Sequence, residues 1–137
     1  MITRSEQDMI AFGKKIAKGL APPTAIELIG DIGVGKTTLV KGIAKGLGVT
    51  DNVTSPSFTI SKTYRAKDKT TILTHFDFYR LTEPGIMQED LNESIADSDT
   101  ITIVEWASAV KNILPKSHTK IFINYNNDNT RTIKVEK

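Results

Sequence analysis

The 137-residue chain contains no cysteine, which excludes a disulfide framework, a thiolate metal site and a cysteine nucleophile. Long apolar runs are missing as well: none approaches the ~20 residues that a membrane-spanning helix needs. The N-terminal stretch Met1-Ile-Thr-Arg-Ser-Glu-Gln-Asp8 lacks the apolar segment of a secretory signal. A cytoplasmic protein that meets no membrane is the expectation. No charge sign dominates either. The formal net charge of +2 is too small to argue for a direct grip on nucleic acid, and the scattered lysines read as a solvated surface. What remains is ordinary, with 39% hydrophobic and 25% charged residues. That composition predicts one globular domain over residues 1–137, built around a single core.

Against this background one segment stands out. Gly30-Asp31-Ile32-Gly33-Val34-Gly35-Lys36-Thr37 matches G-x-x-x-x-G-K-[ST]. Glycines let the backbone curl until successive N–H groups point inward at a phosphate chain, where a side chain would obstruct the φ values or the close approach. Lys36 places a compact positive charge against the β/γ-phosphates, and the Thr37 hydroxyl can ligate Mg²⁺. The flanks agree. Ala25–Ile29 reads as a short strand entering the loop, and Lys36–Leu47 reads as a helix whose positive N-terminal end faces the phosphates. The motif therefore predicts binding of a nucleoside triphosphate. The chain lacks N-K-x-D and any D-x-x-G after a strand, so ATP is favoured over GTP.

Around the loop the pattern alternates between helices and strands. Ser5 is placed to cap a first helix, with Asp8 approximating a capping box. Met9, Phe12, Ile16 and Leu20 recur at helical spacing until Pro22-Pro23. In the second helix Leu39, Val40, Ile43 and Leu47 form the apolar face, and Gly46 and Gly48 supply a stop. Thr50–Ser57 reads as a polar loop. Phe58, Ile60, Lys62 and Tyr64 alternate, a polar turn covers Ala66–Lys69, and Thr71–Phe76 returns, which predicts a hairpin. Leu81–Asp97 reads as a loop and short acidic helix, Ile101–Val104 as a β-branched strand, and Ala107–Leu114 as a helix stopped by Pro115. Lys120–Tyr125 and Thr130–Val135 flank Asn126-Asn-Asp-Asn129, a strong turn signal. Helices mixed with both strand–helix units and hairpins indicate an α/β fold: a P-loop NTPase-like three-layer sandwich whose mixed β-sheet is flanked by helices.

Phosphoryl transfer also needs a held Mg²⁺ and a group that orients the nucleophile. Two strands run into acids: Ile101–Val104 into Glu105, and Thr71–Phe76 into Asp77. Ligands collect at the carboxyl ends of strands in open α/β sheets, so both carboxylates are candidates. His75 should share a strand face with Asp77, and its ordinary reading is structural. Trp106 is expected to pack beside the site or under a helix. Arg80 reads first as a surface salt-bridge partner, and second as a phosphate contact. Three functions stay open at this point: an ATPase, a small-molecule kinase, and an ATP-binding switch without hydrolysis. Arg4, Arg65, Arg80 and Arg131 are not clustered, which counts against the arginine-bearing lid of a small kinase.

Four segments together resemble a known family, the P-loop ATPases of bacterial tRNA threonylcarbamoyladenosine biosynthesis called TsaE or YjeE. They are Gly30–Thr38, Thr54-Ser-Pro-Ser-Phe-Thr59, His75-Phe-Asp-Phe-Tyr-Arg-Leu81 and Val104-Glu-Trp106. The first is common to P-loop proteins, and the last two are the diagnostic ones. By this resemblance Asp31, Ile32, Gly33, Val34, Gly35, Lys36, Thr37 and Thr38 would hold the nucleotide, Thr37 and Glu105 would hold Mg²⁺, and Asp77 would assist hydrolysis with Lys36 and Glu105. Thr54–Thr59 would be the switch segment. Met9 and Arg131 would approach the adenine, although relatives often carry threonine at the first of these. Ser57 stands for a common threonine, and Asp90-Leu-Asn-Glu93 replaces a Leu-Gly pair. The implied activity is ATP hydrolysis that supports a TsaB–TsaD heterodimer, with tRNA engaged only through that complex.

Overall fold

The computed structural model describes residues 1–31, 33–56, 61–79 and 85–137. Its elements in chain order are β1 (Ile2–Thr3), α1 (Glu6–Lys18), β2 (Thr24–Ile29), α2 (Lys36–Gly46), β3 (Ser61–Arg65), β4 (Ile72–Asp77), α3 (Ile86–Ala96), β5 (Thr100–Glu105), β6 (Thr119–Tyr125) and β7 (Arg131–Glu136). Among the described residues, seven strands form one sheet in the order β1-β7-β6-β2-β5-β4-β3. The centre is parallel: β5 lies between β2 and β4, and β6 runs parallel to β2 on its other side. Both edges are antiparallel hairpins, β3–β4 and β6–β7, and β1 adds to β7.

The central strands are covered on both faces, which suits their near-continuous apolar runs. Every residue of β5 is buried. On one face Ile26, Leu28, Leu73, Ile101, Ile103, Ile121 and Ile123 pack against Leu39, Val40 and Ile43 of α2 and Met9 and Ala17 of α1. On the other, Phe76 and Val104 pack against Leu91 of α3 and against Ala107, Val110 and Leu114. This is the expected three-layer α/β arrangement. Glu27, buried within β2, is matched by His118: Nε2 lies 2.9 Å from Glu27 Oε1, while Nδ1 donates to the Pro115 carbonyl at 2.6 Å.

One expectation needs correction. Ala107–Leu114 does not form a helix; only a single 3-10 turn spans Ala107–Val110, entered through Trp106 at φ 56. The apolar residues there reach the second core through turns instead, with Ile113 N–H bonding the Val110 carbonyl at 2.9 Å. Gly46, read as a stop, is the last residue of α2, and a Cβ there would also meet Ala17 Cβ at 2.6 Å. Gly48 at φ +83 completes the exit. The β3–β4 hairpin stands as expected from Ser61 onward, whereas Phe58 and Ile60 of its predicted run fall outside the described residues.

Gly46 shares its role with Gly13 and Gly42. A Cβ on Gly13 would lie 2.7 Å from Ile43 N and Leu39 O, and one on Gly42 would lie 2.4 Å from Ile10 O. The helices therefore cross backbone to backbone, and this brings α1 against the start of α2. In Gly42→Ala, the gain of about 1 kcal/mol in helix propensity is outweighed by overpacking against backbone, which costs about 1–3 kcal/mol or more. Chemical denaturation should show net destabilisation; a variant more stable than wild type would contradict the close crossing.

Candidate functional site

The register of the central strands sets where the loop and the two acids meet. Leu28 of β2 pairs with Glu105 of β5, and Glu105 pairs with Asp77 of β4. All three strands thus end at one level, and the glycine-rich loop leaves β2 at that level. Within the loop Gly33 and Gly35 take φ of +82 and +107, left-handed conformations that side chains resist. Gly35 is also the N-cap of α2, so the helix starts with its free N–H groups at the loop.

Lys36, Thr37, Thr38, Ser55, Asp77, Tyr79, Glu105 and Trp106 join Gly33 and Gly35 around a cavity of about 410 Å³. Lys36 Nζ donates to the Gly30 carbonyl at 2.6 Å, sits 3.7 Å from Glu105 Oε1, and lies 3.8 Å from the centre of the Trp106 ring. Burial pushes the Lys36 ammonium below its ordinary value of 10.5, opposed first by the Glu105 carboxylate and then by Asp77. Asp77, itself buried, accepts the Tyr79 N–H at 3.0 Å, and the Tyr79 and Trp106 rings meet at 4.9 Å. On the sheet side of the site His75 Nε2 donates to Glu105 Oε2 at 2.5 Å. The carboxylate offers only acceptors, so the proton of this short bond lies on Nε2 in the assignment the network requires.

A second cavity of about 270 Å³ shares Gly33, Gly35 and Thr38 with the first, and is completed by Thr3, Ser5, Glu6, Met9 and Arg131. The Met9 methyl touches the loop: a Cβ on Gly35 would come within 3.2 Å of it. Arg131 reaches in from β7, its Nε donating to the Val34 carbonyl at 3.1 Å and its Nη1 to the Asn129 carbonyl at 3.1 Å. The Tyr125 ring lies under its guanidinium at 4.8 Å. The hydroxyl of Thr3 is buried on this cavity's wall with no hydrogen-bond partner among the described residues.

The sequence-predicted residues therefore converge. Gly33, Gly35, Lys36, Thr37, Thr38, Asp77 and Glu105 line one cavity, Met9 and Arg131 line its neighbour, and Asp31 and Val34 belong to the loop that joins them. Ile32, Arg80 and the Ser57–Thr59 part of the expected switch segment lie outside the described residues. Sequence reasoning missed Thr3, Ser5 and Glu6 as cavity walls: Thr3 is placed by β1, a two-residue strand without a pattern of its own, and Ser5 and Glu6 read only as the start of α1. It also gave His75 a structural role, although the shared face with Asp77 pointed toward the site.

Comparison with known proteins identifies the family. The family model for threonylcarbamoyl adenosine biosynthesis protein TsaE matches residues 3–133. The chain belongs to the TsaE family. Among similar members, the tRNA threonylcarbamoyladenosine biosynthesis protein TsaE of Bacillus subtilis is 36% identical over 132 residues, covering 96% of this chain and 80% of that one. The protein of the same name from Haemophilus influenzae is 34% identical over 128 residues, covering 90% of this chain and 80% of the relative. In structure, the chain is similar to the crystal structure of Bacillus subtilis YdiB, with a TM-score of 0.80 at 34% identity over 97% of this chain and 80% of that one. No helix among the described residues of this TsaE-family chain is long and apolar enough to cross a membrane.

Arg131 links the last hairpin to the loop, and that link can be measured. In Arg131→Ala the Val34 carbonyl loses its charged donor, and hydrogen exchange of amides 33–36 should run several-fold faster while β6 exchanges as in wild type. Unchanged loop exchange would show that the hairpin does not restrain the loop.

Proposed function

We propose that this TsaE-family chain is a Mg²⁺-dependent ATPase that serves tRNA threonylcarbamoyladenosine biosynthesis by supporting a TsaB–TsaD heterodimer, which modifies adenosine 37 of tRNAs reading codons beginning with A. The observation that carries the ATPase reading is the single cavity uniting the glycine-rich loop, Lys36, Thr37, Asp77 and Glu105 at the ends of β2, β4 and β5. Family membership carries the pathway.

The residues present fit both ligands. Mg²⁺ takes few protein ligands and relies on phosphate oxygens and waters for the rest; Thr37 and Glu105, which line the same cavity, supply a hydroxyl and a carboxylate for such a set. When bound there, the ion would supply positive charge that offsets the negative charge building during transfer. For the nucleotide, the left-handed glycines let the backbone amides face the phosphates, and Lys36 adds a cation. The neighbouring cavity suits the base, with Met9 as an apolar wall, the Arg131 guanidinium as a flat cationic one, and the unpartnered Thr3 hydroxyl for a polar edge. Asp77 accepts hydrogen bonds beside the phosphate end and would orient the attacking water, its carboxylate held by the Tyr79 N–H. Nothing in this scheme needs a grip on RNA, in keeping with the modest net charge of +2.

The test is phosphate release from Mg²⁺–ATP, alone and with TsaB–TsaD from the same source. Release should rise when the heterodimer is added. Lys36→Ala should lose nucleotide binding, whereas Asp77→Ala and Glu105→Ala should keep most of it and lose turnover by about 10²-fold or more, the scale on which one group that orients or stabilises the transition state acts. If all three variants hydrolysed ATP like wild type, the site assignment would be wrong. Tighter TsaB–TsaD binding in ATP than in ADP with negligible release would mark a nucleotide switch instead.

A further inference from the structure

His75 is completely buried, yet the nucleotide scheme leaves it without a role. It sits on the face of β4 that carries Leu73 and Asp77, and its cross-strand partner is Ile103. Glu105 is two residues further along β5, opposite Asp77, so His75 and Glu105 are diagonal neighbours on one face, within reach of a long side chain. The imidazole uses that reach, and its Nε2 bonds Glu105 Oε2 at 2.5 Å. The other oxygen of the carboxylate, Oε1, is the one nearer Lys36, at 3.7 Å. That contact is too long for a hydrogen bond, so His75 is the tighter of the two restraints on Glu105. The arrangement has a cost. His75 Nδ1 has no hydrogen-bond partner among the described residues, and a buried polar atom left unpaired disfavours the fold. Ile103 and Leu73 beside it show that the position sits within an apolar core, where an aliphatic side chain would avoid that cost.

We propose that His75 is a positioning residue: by holding Glu105 Oε2 toward the sheet, it turns Oε1 to the cavity and sets the carboxylate for the magnesium ion. Outer partners of this kind fix ligand orientation, and removing them weakens metal binding by about 10–100-fold. The inference rests on the Mg²⁺–nucleotide reading given above.

The experiment measures binding of a fluorescent ATP analogue with and without Mg²⁺, together with thermal melting, for wild type, His75→Gln, His75→Asn and His75→Phe. The glutamine amide can stand where Nε2 stands; asparagine is too short to reach, and phenylalanine fills the space without a donor. Binding without Mg²⁺ should be alike in all four. The tightening on adding Mg²⁺ should be lost by about 10-fold or more in the phenylalanine and asparagine variants, and restored in His75→Gln. A merely structural histidine would lower the melting temperature and leave the tightening intact, which overturns the proposal; equal loss in His75→Gln overturns it too. If His75→Phe does not fold, the glutamine–asparagine pair decides alone. A wild type that binds the analogue no better with Mg²⁺ would sink the magnesium reading itself, whereas a wild-type effect shared by every variant sinks only the role of His75.

Discussion

The hydrogen-bonded register of β2, β5 and β4 is the constraint on which everything else depends. Parallel strands exchange evenly spaced bonds, and slipping one of them by a single residue would turn its side chains to the opposite face. Because Leu28, Glu105 and Asp77 lie side by side across these strands, the two acids and the exit of β2 into the loop arrive at the same level. The same alternation sends Ile103 and Ile101 into the core and Glu105 to the cavity. Burying β5 on both faces makes this register hard to change, so the polar groups at its end are held by apolar residues several positions away.

A second restraint comes from the sides. The glycine-lined crossing of α1 and α2 brings Met9 against Gly35, and β1 pairing with β7 carries Thr3 to the same place. Arg131, the cross-strand partner of Thr3, reaches the Val34 carbonyl. The loop, whose glycines hold conformations that other residues resist, is thereby braced by an N-terminal helix and a C-terminal hairpin. The two cavities share Gly33, Gly35 and Thr38, which makes them two ends of one groove over the loop. One end holds the charged groups and the other a more mixed wall, the division of labour that a nucleotide with its phosphates and base would meet.

Much of this was legible from residue types. Positive-φ glycines before Lys-Thr leave few structural choices, and strand ends in an α/β sheet locate Asp77 and Glu105 without coordinates. The Asn126–Asn129 turn announced the last hairpin. What escaped depended on tertiary partners. The strand Ile2–Thr3 exists only because β7 offers it an edge. Val110, Ile113 and Leu114 have helical spacing, yet the chain after Trp106 makes only one 3-10 turn there. Gly46 ends its helix as read, but its second role, close approach of another helix, has no local signature. His75 illustrates the same limit: its identity was visible, but the bond to Glu105 requires the relative placement of two strands.

The central claim is that one groove takes a whole Mg²⁺–nucleotide. A crystal structure with Mg²⁺ and a non-hydrolysable ATP analogue tests it directly. The account predicts the triphosphate along residues 33–38, the metal ion between the Thr37 hydroxyl and Glu105, and the base in the cavity formed by Thr3, Met9 and Arg131. A nucleotide bound elsewhere, or one whose base points away from that cavity while the metal avoids Glu105, would contradict it.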